Sequence, residues 1–288
     1  MRSLTISSPA KVNLVLKVLG RRPDGYHELL TIFHRISLCD QLTLCKISRP
    51  EFRLIVSHPK LKRTHDNIIY KAYQSLRKTA HWEGGVEVKL KKNIPVAAGL
   101  GGGSSNAAYF LLGMNRLFNL KLSLKKLARV GAKLGSDVPF FLYQANQAIG
   151  TGRGEKIRPF PSQRKFWFVL VAPQFGIPSP SVYKELRAAP LTRISRDATI
   201  TSALLWQKEK GEKYPRLQND LFSASCRLRP ELKRIDELFD QLGVARRLMS
   251  GSGPSMFSIH MSEREAQRVA RQVRHRKRSA KVLVCHTY

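Results

Sequence analysis

The sequence predicts an α+β protein of two domains. Segments with the period of a strand and segments with the period of a helix alternate irregularly along both halves of the chain. At 288 residues the chain exceeds the roughly 150 residues of one typical domain. The segment "RPFPSQRK", residues 158–165, is the best candidate for a linker, and a strand pattern restarts after it. We therefore expect an N-terminal domain at residues 1–160 and a C-terminal domain at residues 161–288.

The N-terminal half is predicted to begin with strands and to continue mainly with helices. Apolar and β-branched residues dominate from Leu4 to about Val56, with a turn at "PDG", and "GVEVKLKK" alternates as a strand does. Helices are predicted at residues 67–79, capped by Asp66 or Asn67, at 105–118 and at 123–134. The segment "GSDVPFFLY", residues 135–143, is predicted to turn into a strand.

The C-terminal half is predicted to open with the strand "FWFVLVA". Helices are predicted near residues 181–187, 199–208, 219–227 and 230–242. The strand "PSMFSIH", a basic helix and the strand "KVLVC" complete the pattern. Because strands and helices are mixed without a regular β-α repeat, the class is α+β in this half as well.

The formal net charge of +31 is the unusual feature of the composition. Such a charge favours polyanionic ligands, which include nucleic acids, phosphorylated small molecules and acidic membrane surfaces. In the two most basic segments, "KLSLKKLARVGAK" and "REAQRVARQVRHRKR", the apolar residues fall on one side of a helix. Most of the cations then lie on the outer side, so a solvated surface is the alternative explanation.

Other features exclude several classes of protein. The four cysteines are scattered without zinc-ligand spacing and fit a reducing compartment; they are Cys39, Cys45, Cys226 and Cys285. No apolar run resembles a signal peptide or approaches the ~20 residues of a membrane span. No G-x-S-x-G or H-E-x-x-H motif supports a serine hydrolase or a zinc protease. We expect a cytoplasmic protein without a membrane partner.

The stretch "PVAAGLGGGSSNAA", residues 95–108, carries the clearest signal for function. A glycine backbone can approach a phosphate closely, and the first N–H groups of the following helix have no intrahelical partner. Ser104 and Ser105 offer hydroxyls to a phosphate or to a metal ion that bridges phosphates. The loop matches neither the Walker A motif nor the dinucleotide fingerprint. A turn used only for close packing is the alternative.

Lys11, Asn13 and Asp137 are candidates for the chemistry. In "SPAKVNLVLKV" a strand would place Lys11 and Asn13 on one face, and an inward lysine would need a partner. An edge-strand lysine that reaches solvent is the alternative. Asp137 in "GSDVPFFLY" is a candidate general base with a lysine such as Lys11 as counter-ion, or else a helix cap or turn residue.

Two further turns are candidates for ligand contacts. Tyr26 and His27 in "RRPDGYHEL" could stack on a nucleobase and form a hydrogen bond to it, although a loop aromatic can also simply cover the core. The segment "SGSGPS", residues 250–255, could close over phosphates or form only a tight turn.

Together these stretches resemble the GHMP kinase superfamily of small-molecule kinases. Three motifs match in the order of that family: "PAKVNL" at 9–14, "PVAAGLGGGSSNAA" at 95–108 and "SGSGPSMF" at 250–257. The segments "GRRPDGYHEL", "GSDVPFFL", "DNIIYKA" and "GRGE" are similar to the branch whose substrate is a cytidine diphosphate derivative of methylerythritol. The similarity extends over nearly the whole chain.

The resemblance implies a fold and a reaction. It implies two domains, the first with a left-handed β-α-β unit and the second an α/β sandwich, with the active site in the cleft between them. It implies that ATP, with Mg²⁺, donates its γ-phosphoryl group to the 2-hydroxyl of the small-molecule cytidine diphosphate substrate. We expect a monomer or a weak dimer without an obligate nucleic-acid partner.

The resemblance also assigns roles to single residues. Lys11 and Asp137 match the catalytic lysine and aspartate, and Ser104 or Ser105 is the candidate magnesium ligand. The implied ATP-binding residues are Asn67, near the adenine, and the loop residues Pro95, Val96, Ala97, Ala98, Gly99, Leu100, Gly101, Gly102, Gly103, Ser104 and Ser105. The implied substrate-binding residues are Asn13, Tyr26, His27, Tyr183, Gly251, Ser252 and Gly253, with the cytosine between Tyr26 and Tyr183.

One departure from the family pattern and two alternative functions stay open. Asn146 and Gln147 stand where the family usually has glycine or another small residue, which leaves the geometry of residues 144–150 undefined. A homoserine or mevalonate type of GHMP kinase is the nearer alternative, but those kinases lack "DGYH" and "GSDVPFF". An RNA-binding protein would explain the charge, but neither the glycine loop nor Asp137.

Overall fold

The computed structural model describes residues 2–59, 61, 66–161, 164–186, 206–209 and 212–288. Its contacts divide the chain into two compact units. The first contains Met1–Ala10, Ser37–Val96 and Gly101–Ala145, and the second contains Lys11–Ile36, Ala97–Leu100 and Asn146–Tyr288. Because the two units interleave along the sequence, the expected single boundary at residue 160 stays a prediction.

Two long strands contribute to both units. They are β1 (Ser3–Arg21) and β2 (His27–Ile47), joined by the predicted turn, in which Gly25 has a positive φ of 82°. The strand β3 (Phe52–Val56) completes the strand-rich N-terminal region that the sequence predicted. The length of β1 matters for function, because one continuous strand carries Lys11 and Asn13.

In its described residues the first unit combines a sheet with four helices. The remaining elements are α1 (Ile68–Ala80), β4 (Gly85–Lys91), α2 (Gly102–Leu117), α3 (Leu124–Leu134) and α4 (Val138–Leu142). In the sheet β4 pairs antiparallel with β2 and parallel with β3. Helix α2 lies so close to the sheet that a Cβ at Gly113 would be 2.5 Å from Leu44 Cδ1. The helix that follows the glycine loop is therefore anchored in a packed core.

The helix starts follow the predicted capping signals, with one correction. Asn67 caps α1, because its Oδ1 accepts a hydrogen bond of 2.9 Å from the Ile69 N–H. Ser123 caps α3 in the same way. The strand predicted in "GSDVPFFLY" is wrong, since Val138–Leu142 forms α4. All five residues of α4 are buried, and such a continuous apolar run is also the pattern of a buried strand. Pro139 fits the first turn of a helix, because no N–H donor is needed there.

The second unit contains the parts of β1 and β2 that carry residues 11–21 and 27–36. Its other elements are β5 (Gln147–Gly152), β6 (Lys156–Phe160), β7 (Trp167–Ala172), α5 (Ser179–Glu185), β8 (Trp206–Glu209), β9 (Glu212–Pro215), β10 (Gln218–Asn219), α6 (Phe222–Leu228), α7 (Glu231–Gln241), β11 (Arg247–Met249), β12 (Met256–His260), α8 (Glu263–Arg276) and β13 (Lys281–His286). Within this unit the strands β10, β1, β2, β5 and β6 pair in that order as part of a seven-stranded sheet, and a separate four-stranded sheet has the order β11-β12-β7-β13.

Three predictions in the C-terminal half are wrong in part. Residues 158–160 of the predicted linker belong to β6. Within the described residues β6 pairs with β5 alone, and an edge strand of this kind can hold Pro159. Asn219 lies in the two-residue strand β10, too short to show a period, and α6 begins at Phe222. Residues 206–208 of the helix predicted at 199–208 lie in β8, and residues 199–205 of that helix lie outside the described residues.

A buried histidine explains the departure from the family pattern at Gln147. Gln147 Nε2 lies 2.6 Å from His34 Nδ1, and His34 Nε2 lies 3.2 Å from Thr287 Oγ1. Since the amide nitrogen of Gln147 can only donate, the imidazole accepts at Nδ1 and is neutral. Burial lowers the pKa of His34 from 6.5 to about 3. The long polar side chain of Gln147 is therefore accommodated in β5 as a partner of the ring.

Acid should destabilise this protein through His34. The unfolded chain takes up the proton near pH 6.5 and the folded chain only near pH 3, so stability is lost as the pH falls between these values. The contribution is about 1.4 kcal/mol per pH unit. We expect the free energy of unfolding, measured with urea, to decline less steeply across this range in His34→Gln than in the wild type. Parallel curves would show that His34 is not the group responsible.

Candidate active site

Lys11 lies inside the second unit and does not reach solvent. The residue is only 3% exposed, and its Nζ donates a hydrogen bond of 2.6 Å to Asn13 Oδ1. Nζ also lies 5.7 Å from the centroid of the Phe33 ring, and the Lys11 N–H donates to the Leu100 carbonyl. The prediction that Lys11 and Asn13 share an inward face is confirmed.

The amide of Asn13 is oriented by a threonine on the neighbouring strand. Asn13 Nδ2 donates to Thr31 Oγ1 over 2.7 Å, and Thr31 Oγ1 donates to the Val15 carbonyl over 2.8 Å. Because Thr31 must use its proton toward Val15, it accepts from Asn13, and the amide oxygen of Asn13 faces Lys11. The sequence interpretation missed Thr31, whose only signal is a hydroxyl in the apolar run "LLTIF".

The third motif forms the turn between β11 and β12. The Gly253 N–H donates to the Ser250 carbonyl over 2.9 Å, and the Ser250 N–H donates to the Ser255 carbonyl over 2.9 Å. Gly251 has a φ of 58°, and a Cβ there would lie 3.3 Å from Lys11 Nζ and 3.4 Å from Asn13 Oδ1. The backbone of this turn therefore lies directly against the lysine and asparagine of the first motif.

Residues 97–100 of the glycine loop are held against the same turn. Ser250 Oγ donates to the Gly99 carbonyl over 2.9 Å, and the Ser255 N–H donates to the Ala98 carbonyl over 3.2 Å. A Cβ at Gly99, where φ is 74°, would lie only 2.2 Å from the Ser250 carbonyl oxygen. Only glycine permits this approach. Segments of all three motifs thus meet within one compact unit.

Asn219 fixes the third-motif turn from the other side. Its Nδ2 donates to the carbonyls of Met249 and Gly251, each over 2.8 Å, and its Oδ1 accepts from the Leu221 N–H. β10, which contains Asn219, pairs in parallel with β1 at Val15 and Leu16. The sequence interpretation missed this role, because it placed Asn219 at the start of a helix.

The aromatic residues predicted to bind a nucleobase also lie in the second unit. The rings of His27 and Tyr183 stack with centroids 5.2 Å apart and planes at 23°. Tyr26 is 54% exposed, and the Arg153 guanidinium carbon lies 4.7 Å from the centroid of its ring. Burial and the charge of Arg21 lower the pKa of His27. A neutral imidazole offers one donor and one acceptor, which suits the edge of a base.

In the first unit the serines of the glycine loop have different surroundings. Helix α2 begins after Gly101, which has a φ of 69° and, as a glycine, no side chain that could cap the first N–H groups. Ser105 is fully buried, with its Oγ 2.7 Å from Ser8 Oγ, whereas Ser104 is half-buried. An uncapped helix N-terminus suits an anion, and Ser104 is the better placed hydroxyl for a ligand.

Asp137 and Asn67 occupy helix starts in the first unit. Asp137 is the first residue before α4, but its carboxylate makes no capping hydrogen bond, so capping this helix is not its role. Asn67 uses its oxygen as the cap of α1, while its Nδ2 makes no hydrogen bond within the described part of the chain. Lys11 and Asp137 belong to different compact units, and their pairing stays a prediction.

The described residues contain neither a metal-binding cluster nor a membrane-spanning helix. Within these ranges, no three histidine, cysteine or acidic side chains are grouped in a way that could hold a metal ion. None of the described helices is long and apolar enough to cross a membrane.

Comparison with known proteins gives the family. Models of the N-terminal and C-terminal domains of GHMP kinases match residues 67–145 and 192–278. The 4-diphosphocytidyl-2-C-methyl-D-erythritol kinase of Moorella thermoacetica is 41% identical over 272 residues, which are 94% of each chain. This chain belongs to that kinase family. The kinase of the same name from Geobacter metallireducens is 39% identical over 273 residues, 95% of each chain.

Solved structures agree with the family and separate it from the alternatives. A crystal structure of a 4-(cytidine 5'-diphospho)-2C-methyl-D-erythritol kinase matches with a TM-score of 0.80 and 34% identity over 98% of both chains. Homoserine kinase from Cytophaga hutchinsonii and a mevalonate kinase match with TM-scores of 0.73 and 0.67, each at 14% identity. The latter two share the fold alone. The predicted fold class of a two-domain GHMP kinase is confirmed.

Proposed function

We propose that this kinase transfers the γ-phosphoryl group of ATP to the 2-hydroxyl of 4-diphosphocytidyl-2-C-methyl-D-erythritol, a step of the non-mevalonate isoprenoid pathway. The observation that carries the proposal is the meeting of three motifs: buried Lys11 and Asn13, the loop at Gly99 and the turn at Gly251. Relatives that share 41% and 39% of their residues with this chain are kinases of that name.

The proposed mechanism depends on positioning and on charge stabilisation, which dominate catalysis of phosphoryl transfer. N–H groups of residues 96–104, which include the start of α2 after its N-cap Gly101, would surround the phosphates of ATP. Asp137, which matches the catalytic aspartate of the family, would accept the proton of the attacking hydroxyl. Lys11, held by Asn13, would orient the reacting groups. Backbone groups of residues 251–253 would approach the substrate diphosphate.

The magnesium site that this reaction requires would depend on few protein groups. When bound, Mg²⁺ neutralises charge on the phosphates of ATP. Ser104 is the hydroxyl that we propose as its ligand, because the Ser105 hydroxyl is fully buried against Ser8.

The cytidine part of the substrate would bind at the aromatic cluster, which consists of Tyr26, His27 and Tyr183. The cytosine would lie between Tyr26 and Tyr183. Stacking on His27 holds the Tyr183 ring in place, and Tyr26 presents an exposed face. Tyr26→Ala should raise the KM for the cytidylyl substrate by about tenfold to a hundredfold and leave the KM for ATP unchanged. This factor corresponds to the free energy with which one base stacks on an aromatic side chain. Steady-state kinetics with each substrate varied in turn would test this.

Tyr143→Ala is the matched control for Tyr26→Ala, since Tyr143 is also a partly exposed tyrosine, at 37%. We expect it to change neither KM. If Tyr26→Ala raised both KM values equally, Tyr26 would not belong to the cytosine site.

A panel of acceptors tests the proposed function against its alternatives. Labelled ATP would be offered with 4-diphosphocytidyl-2-C-methyl-D-erythritol, with homoserine and with mevalonate, and kcat/KM compared. We expect the cytidylyl substrate to be preferred by at least about 10³, because the aromatic cluster has no role with the other two. Preference for homoserine or mevalonate would overturn the proposal. Tight RNA binding with steep salt dependence and no transfer would favour the RNA-binding alternative.

The cell compartment and the oligomeric state belong to the same proposal. All four cysteines are free thiols, which supports a reducing cytoplasm. We propose that the enzyme acts as a monomer or a weak dimer, and light scattering after size-exclusion chromatography would measure this.

A further inference from the structure

A single buried carboxylate joins the two segments that flank the glycine loop in the sequence. Asp40 Oδ1 accepts from the N–H groups of Asn93 and Ile94, over 2.8 and 2.9 Å, directly before the loop. Asp40 Oδ2 accepts from Asn106 Nδ2 over 2.9 Å, directly after the two serines, and pairs with Lys92 Nζ. Asp40 is 1% exposed.

The network continues from Asp40 into the loop and the first turn of α2. Lys92 Nζ donates to Asn106 Oδ1 over 3.2 Å, and Asn106 Nδ2 lies 3.0 Å from Ser8 Oγ, the partner of Ser105. A Cβ at Gly102 would lie 3.2 Å from Lys92 Nζ, so the ammonium lies directly behind the start of the helix. All of these groups belong to the first compact unit.

We propose that Asp40 is a positioning residue for the nucleotide-binding loop. Its hydrogen bonds connect Asn93 and Ile94, which precede the loop, to Asn106, which follows the loop glycines and serines. They therefore fix the distance between the two ends of the loop. Anchored ends reduce the entropy that the loop loses when it binds phosphates, and they preorganise its N–H groups. This inference rests on the proposed use of the loop as the ATP site.

The distribution of contacts favours positioning over a general contribution to stability. Among the described residues, the hydrogen-bond partners of Asp40 are Lys92, Asn93 and Ile94, which precede the glycines, and Asn106, which follows the two serines in α2. Burial lowers the pKa of Lys92, and the charge of Asp40 opposes that shift. A buried ion pair is weak support for stability, because the desolvation of two charges offsets their attraction. The ion pair of Asp40 and Lys92 is better explained by its role in connecting the chain segments before and after the loop.

Asp40→Asn tests the proposal by separating the two substrates. The amide has the shape of the carboxylate, but its NH₂ group would face the donors Lys92 and Asn106. We expect the KM for ATP to rise at least about tenfold and the KM for the cytidylyl substrate to stay within about twofold. A loss of overall stability would lower the active fraction and hence the apparent kcat, but would not separate the two KM values.

The control is Glu87→Gln, which removes another lysine-paired carboxylate from the same unit. Glu87 lies on β4 and pairs with Lys89 at 3.4 Å. We expect both KM values of this variant to equal those of the wild type. If Asp40→Asn did not fold, Asp40→Asn with Lys92→Gln would remove both charges and should show the same separation of KM values.

Hydrogen exchange gives a readout that does not depend on the proposed function. In Asp40→Asn the amides of Asn93, Ile94 and residues 96–105 should exchange at least about tenfold faster than in the wild type, while those of Gly85–Lys91 should not. Unchanged exchange, or an equal rise of both KM values, would overturn the proposal. If the wild type transferred no phosphoryl group, the proposed function would fail, and the exchange rates would still decide whether Asp40 anchors the loop.

Discussion

Replacing Asp137 with asparagine should lower kcat by about 10²–10⁴, the range for loss of a general base, with little change in either KM. The amide keeps the shape of the side chain but cannot accept the proton of the attacking hydroxyl. Because the Asp137 carboxylate makes no capping hydrogen bond to α4, the start of that helix should not be disturbed. The release of ADP, followed with saturating substrates, would measure the effect.

Asp240→Asn is the control for this substitution, since Asp240 is an exposed carboxylate that pairs with Arg247 in the second unit. Its kcat should equal that of the wild type. Thermal unfolding of Asp137→Asn should also match that of the wild type. A nearly normal kcat in Asp137→Asn would contradict the assignment of the base, and a large loss of thermal stability would indicate a structural role instead.

Gly103→Val should weaken ATP binding by at least about a hundredfold, because the new side chain would occupy the space proposed for the phosphates. Gly103 is exposed in the first turn of α2, and the nearest protein atom to a Cβ there is Ile68 Cγ2, at 3.8 Å. The protein itself therefore has room for the side chain. Calorimetric titration with ATP would give the affinity.

Gly103→Ala separates binding from folding at the same position. Alanine in a helix is favoured over glycine by about 1 kcal/mol, so this variant should unfold at a slightly higher temperature and still bind ATP more weakly. Gly102 is less suitable, because a Cβ there would lie 2.9 Å from Ile94 Cγ2 and would disturb the packing. Wild-type affinity in Gly103→Val would place the phosphates elsewhere.

Local patterns predicted the parts of the site that depend on backbone geometry. The alternation of a strand placed Lys11 and Asn13 on one inward face, and both are buried. The glycine loop was predicted to let the backbone approach a phosphate, with close packing as the alternative, but its contact at Gly99 with the turn at Ser250 was not predicted. The shared face of Lys11 and Asn13 could be predicted because it depends on residues that are close together in the sequence, whereas Gly99 and Ser250 are distant in it.

The residues that orient these groups could not be predicted, because their partners are distant in the sequence. Asp40 lies in a strand far from the loop that it anchors, and it has no signal beyond one acidic residue in an apolar run. Asn219 holds a turn that comes 30 residues later. The error at α4 has a different cause, since five successive buried residues satisfy the pattern of a strand and of a buried helix equally.

The position of the transferred phosphoryl group tests the central claim most directly. The enzyme would be incubated with ATP, Mg²⁺ and 4-diphosphocytidyl-2-C-methyl-D-erythritol, and the product examined by ³¹P and ¹³C NMR. We predict one new phosphate ester, coupled to the second carbon of methylerythritol, formed in equal amount with ADP. An ester at another hydroxyl, or ADP released without any new ester, would contradict the proposed reaction.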